Sequence, residues 1–167
     1  MSEWESKLKA IVSVVKNEDV GSMTGVPSWM MVLLHRTLAD TGKETIAEIW
    51  PNLEVFFHGG ISFKPYRDQY RKIIGKDINY YEIYNASEGF FAIQDQPGSD
   101  EMLLMLDYGI FYEFIPMDAF DPDNLQAIPL EEVEIGKNYA LVITTNSGLW
   151  RYLIGDTVKF TSLHPYR

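Results

Sequence analysis

Two short stretches place side chains that could meet a nucleotide. The first runs from Tyr81 to Phe90, an alternating aromatic segment that empties into Tyr84, Asn85, Ala86, Ser87, Glu88 and Gly89. At the end of a strand, that spacing offers an aromatic face, a hydroxyl and a carboxylate within one turn. The face can stack on a flat base and the hydroxyl can hydrogen-bond a phosphate. The carboxylate suits Mg2+, which takes one or two carboxylates together with substrate phosphates. Gly89 lets the backbone lie close to a ligand. The same Glu88 is equally compatible with a solvated turn. The second stretch, from Gly148 to Asp156, brings Tyr152, Gly155 and Asp156 to another strand end. An aspartate there can accept both hydroxyls of a ribose, or Gly-Asp can simply close a β-turn.

Other chemistries find less support. Gly21 to Gly25, with its serine and threonine, lacks the lysine and the preceding strand of a phosphate-cradling loop, and reads as a loop and helix cap. His58-Gly59-Gly60 is like an esterase oxyanion loop, but no Gly-x-Ser-x-Gly nucleophile elbow accompanies it. His35, His58 and His164 stand far apart without the spacing of a zinc pair. The absence of cysteine excludes disulfides and thiolate metal sites. Met23, Met30 and Met31 read as core or gap-filling residues.

The elements that must position these residues can be read in order. Leu8, Ile11, Val12 and Val15 recur at helical spacing. Pro27 opens an apolar helix that ends near Gly42, and a short helix follows at Ile46 to Ile49. Asn52 to Gly60 reads as a buried strand stopped by two glycines, and Lys64 to Gly75 as a surface helix closed by Gly75. Strands are expected at Asn79–Tyr84, Gly89–Gln94, Met102–Asp107, Ile110–Pro116, Asn138–Thr144, Trp150–Leu153 and Thr157–Leu163. Phe120 to Lys137 is expected to form an acidic arm too polar for core. Helices and a buried strand followed by a mostly β meander predict a mixed α/β (α+β) fold.

At 167 residues, the length predicts one domain with a real core. The formal net charge of -10 disfavours nucleic acid and anionic membranes as partners, since both carry charge of the same sign. The N-terminal residues lack the pattern of a signal peptide, and the longest apolar run, Trp29 to Leu34, is too short to span a bilayer. A soluble, cytoplasmic protein is expected.

Taken together, the motifs resemble a known family. Tyr84-Asn-Ala-Ser87-Glu88 resembles the Tyr-Gly-x-Thr-Glu motif of adenylate-forming enzymes, and Tyr152 to Asp156 resembles their Tyr-x-x-Gly-Asp motif, in the right order. Asn52 to Arg67, Gly25 to Leu38 and Ile143 to Arg167 are similar to the auxin-responsive promoter family of acyl-acid amido synthetases, in the form of a bacterial member. The resemblance runs nearly from end to end. It implies part of the large N-terminal domain of an adenylate-forming enzyme, in which ATP and a carboxylic acid give an acyl-adenylate that an amino acid amine then attacks.

By that resemblance Tyr84 stacks on adenine, and Ser87 lies beside the α-phosphate or acyl carboxylate. Glu88 holds Mg2+, making Ser87 and Glu88 the catalytic pair. Asp156 grips the ribose, with Tyr152 in the same nucleotide-binding motif. Gly59 and Gly60 lie against adenine and acyl group, while Val26, Trp29 and Met30 line the acyl pocket. ATP and Mg2+ are the implied cofactors; a carboxylic acid and an amino acid are the implied partners. The family's phosphate loop falls before Met1 and its mobile C-terminal domain after Arg167. Residues 1–167 are therefore expected to be one partial domain, inactive alone, that dimerises through surfaces its missing neighbours would cover. The alternatives are a non-catalytic nucleotide- or acyl-binding module, or a CoA-dependent acyl ligase of the same superfamily.

Overall fold

The structure, a computed structural model, describes residues 3–167. The chain forms two compact units, one up to Tyr84 and one from Asn85.

The first unit sets helices on a short parallel sheet. Helix α1 (Glu3–Val15) has Val12 as its buried residue, and Ile11, expected on the inner face, is exposed. Strand β1 (Ser22–Gly25) runs parallel to β2 (Val55–His58), which runs parallel to β3 (Asn79–Ala86). The expected loop and cap at Gly21 to Gly25 is thus a strand, and Val26, which precedes α2 (Pro27–Thr41), makes no side-chain cap. Four residues with small neighbours carry no readable period; pairing with a strand thirty residues away makes the strand. The ends of α2 fall where Pro27 and Gly42 placed them, with Gly42 left-handed and its amide on the Leu38 carbonyl at 2.9 Å. Helix α3 (Arg67–Ile74) stops at Gly75 in the same way.

Leu34, Ile46, Trp50, Leu53, Phe56, Phe63, Tyr70 and Ile74 fill the core of this unit, joined by Met23 and Met31. Tyr70 stacks on Phe56 at 4.9 Å and donates its hydroxyl to the Pro27 carbonyl at 2.8 Å, fixing α3 to the start of α2.

The second unit is antiparallel. Strand β4 (Gly89–Ile93) pairs with β5 (Leu103–Leu104), far shorter than the expected Met102–Asp107. Strand β6 (Ile110–Pro116) keeps its expected bounds and lies between β7 (Ile128–Pro129) and β8 (Asn138–Thr145). The expected acidic arm therefore contributes a strand, and it also buries Val133. Beyond β8 lies β9 (Tyr152–Lys159), one strand where two were expected. Phe114, Tyr139 and Phe160 meet edge to face on one side of this sheet. Ile115, Ala140 and Val142 pack beneath Phe120, Ala127 and Leu153 on the other. No helix among the described residues is long and apolar enough to cross a membrane.

Candidate functional site

Parallel strands bring Gly59, Gly60 and Val26 together. Strand β2 buries Phe56 and His58 and then reaches Gly59, where a β-carbon would overlap the Ile83 carbonyl oxygen and stand 3.2 Å from Ile83 Cγ1. Only a bare backbone passes there. The next residue, Gly60, turns so that an added β-carbon would sit 3.4 Å from Val26 Cγ2. These residues stand at the carboxyl ends of β1 and β2, the edge at which open α/β sheets bind ligands. Tyr84 is half-buried near the end of β3, and strand alternation puts it on the face that carries Tyr80.

The three expected acyl-pocket residues diverge. Val26 faces Gly60, Met30 packs against the core, and Trp29 is exposed. Trp29 meets Trp4 edge to face at 5.1 Å, and with Ser28 and Val32 these lines a groove of about 580 Å3. Beside the glycine pair, His58 stacks on Phe63 at 4.2 Å, with only 3% of its surface exposed. Its Nδ1 has no hydrogen-bond partner among the described residues. Burial, helped by the nearby Arg67 charge, pushes its pKa down to about 4, so the imidazole is neutral.

In the second unit, Ser87 and Glu88 form the turn between β3 and β4, the serine exposed and the glutamate half-buried. Tyr152 and Asp156 stand on β9, both exposed. Between them the ladder breaks. Val142 pairs with Leu153 and Ala140 with Thr157, so four residues on β9 span what two span on β8. Gly155 takes a φ of 94° inside this bulge, which lifts the Gly155-Asp156 pair out of regular pairing. The gap read as a break between two strands is this bulge.

No spacing in the sequence marked Arg151 or Glu113. Arg151 lies within the stretch from Gly148 to Asp156, yet only the structure reveals its φ of 43° and its Nε donating to Glu113 Oε2 at 3.1 Å. No group of three or more His, Cys, Asp or Glu side chains among the described residues could hold a metal ion. A single turn carboxylate such as Glu88 fits Mg2+, whose remaining ligands are waters and substrate phosphates; it does not fit an all-protein metal cage.

The fold is shared with solved acyl acid amido synthetase and CoA ligase structures. A solved structure of the GH3.15 acyl acid amido synthetase superposes with a TM-score of 0.66 at 14% identity, covering 96% of this chain and 37% of that one. A 2-hydroxyisobutyryl-CoA ligase with 2-HIB-AMP and CoA superposes with a TM-score of 0.63 at 18% identity, covering 92% and 32%. Within that class the sequence is more specific: the GH3 family N-terminal domain matches residues 1–78 and the GH3 family central domain matches residues 103–166. The chain belongs to the GH3 family. Relatives include the indole-3-acetic acid-amido synthetase GH3.4 of Arabidopsis thaliana, 33% identical over 129 residues, covering 71% of this chain and 21% of that protein. The jasmonoyl-L-amino acid synthetase JAR4 of Nicotiana attenuata is 32% identical over 129 residues, covering 71% and 22%. The chain thus spans about a fifth of the length of these relatives.

Proposed function

We propose that this chain carries the adenine-, ribose- and acyl-facing part of an ATP-dependent acyl-acid amido synthetase. The carboxylate of a small acid attacks the α-phosphorus of ATP, giving an acyl-adenylate and releasing pyrophosphate. The amine of an amino acid then attacks the acyl carbon, forming the amide and releasing AMP. In this reading Tyr84 stacks on adenine and Asp156 accepts the two ribose hydroxyls, with Tyr152 beside it. Gly59 and Gly60 let adenine and acyl group lie against bare backbone, and Val26 forms the adjoining wall. Trp29 and Met30 are the further acyl-side candidates. Ser87 sits by the α-phosphate or the acyl carboxylate. Glu88 would hold Mg2+, which neutralises charge on the phosphates when bound.

One observation carries the proposal: the Gly155-Asp156 pair is projected by a bulge within the segment that matches the family. Bulges at such places re-aim a side chain, and a carboxylate so presented suits a vicinal diol. The test is titration of the chain with AMP. D156A should weaken binding about tenfold or more, the scale of losing charge-assisted hydrogen bonds. Wild-type affinity in D156A would sink the ribose assignment. The likeness to a CoA ligase supports a second reading, in which CoA is the acyl acceptor. Feeding either CoA or amino acids to the parent enzyme decides between the two.

A further inference from the structure

Arg151 is the sole non-glycine residue of positive φ among the described residues. A β-carbon in the left-handed region is strained, and a turn needing only that conformation is better served by glycine or asparagine. The arginine is held from two sides. Its amide donates to Thr144 Oγ1 at 3.0 Å, and its Nε donates to Glu113 Oε2 at 3.1 Å. Glu113 stands on β6 opposite Val142, and its side chain is 16% exposed against 62% for Arg151. The carboxylate is therefore the fixed partner and the arginine the held one. With its guanidinium exposed, the pair adds little to stability. The pair does not repay the strain through the fold.

What the strain does fix is the geometry immediately downstream. Arg151 and Gly155, both left-handed, bracket the short piece of β9 in which Tyr152 pairs with Ile143 and Leu153 with Val142. The bulge with Asp156 follows at once. A carboxylate that must meet two hydroxyls at the same time depends on its strand not rocking about this short paired piece.

We infer that Arg151, anchored by Glu113, is a positioning residue: it locks the start of β9 so that Tyr152 and Asp156 meet the ribose in one geometry. The inference rests on the assignment of Asp156 to the ribose. The experiment titrates AMP into wild type, R151G, E113Q, R151G/E113Q and D156A, with thermal midpoints and amide exchange rates for Tyr152 to Asp156 measured on each. Glycine adopts the left-handed conformation without strain, so R151G keeps or raises the midpoint, and E113Q leaves it nearly unchanged. Both nonetheless lower AMP affinity about three- to tenfold, and both speed exchange across Tyr152 to Asp156. The double variant loses no more than the worse single one, because both act through one contact.

Wild-type affinity and exchange in R151G and E113Q, beside a loss in D156A, overturn the role of Arg151 and leave the nucleotide site standing. So does an affinity loss that merely tracks a lowered midpoint, which is a folding effect. Wild-type affinity in D156A, or no AMP binding by wild type, removes the nucleotide site and the inference with it.

Discussion

In the unit up to Tyr84, β2 runs into Gly59 because the β3 backbone leaves no room for a side chain. In the unit from Asn85, β9 reaches Gly155 with open space around it, and the demand is torsional, a φ of 94°. One glycine answers crowding between two strands and the other answers a bend within one. Crowding by backbone cannot relax, whereas a torsional demand can be met at modest cost by a residue that tolerates the left-handed region. Gly59 should therefore be far less forgiving of substitution than Gly155.

Substitution breaks or sharpens this contrast. G59A is expected to lose about 3 kcal/mol or more, since the β-carbon meets a carbonyl that cannot move alone. Urea unfolding of that variant at neutral pH measures it directly. Next in size is the neighbour of Gly59. The folded pKa of His58 lies at about 4, below its ordinary 6.5, so the unfolded chain binds the extra proton first. Stability is then full above pH 6.5 and falls as the pH drops toward 4, by about 2 kcal/mol at about pH 5. H58F, which keeps the ring stacked on Phe63, should flatten that dependence. An unchanged slope in H58F would mean that other groups produce it.

G155A should cost about 1 kcal/mol, and G155N less than that. If G155A proved as damaging as G59A, open space around Gly155 would be the wrong description. Smallest of all is the pair between Asp95 and Arg167. Hydrogen bonds from Arg167 hold the Asp95 carboxyl below the usual carboxylate range. Its contribution is present above the ordinary carboxylate pKa and fades as the pH falls below it. The Asp95 carboxylate is about a third open to solvent, which screens the pair, so D95N should lower stability only slightly in the same unfolding assay.

Much of the first unit was legible because its signals are local. Pro27 and Gly42 bound α2, Gly75 closes α3, and the glycine pair ends β2, each by backbone chemistry confined to a few residues. Strand β1 was not legible, because Ser22 to Gly25 is a strand only through its partner Val55 to His58. The second unit shows the same limit at the candidate site. Tyr152, Gly155 and Asp156 could be singled out by type and spacing. Their geometry could not, because it depends on pairing with Ala140 and Val142, and Arg151 is held by a glutamate 38 positions earlier. In both units residue types suggest the chemistry proposed for them, and contacts distant in sequence set how those residues are presented.

Helix α1 contributes one fully buried side chain, yet it supplies Trp4, one wall of the groove in front of Trp29. Its ties include Val15, which packs against the core and accepts a hydrogen bond from Trp50 Nε1 at 2.9 Å, and, just past its end, Lys16 against Asp40. A helix with one fully buried side chain is expected to open at lower free energy than the core behind it. The groove therefore exists only while α1 is docked: without that helix, Trp29 loses its edge-to-face partner and Val32 its cover.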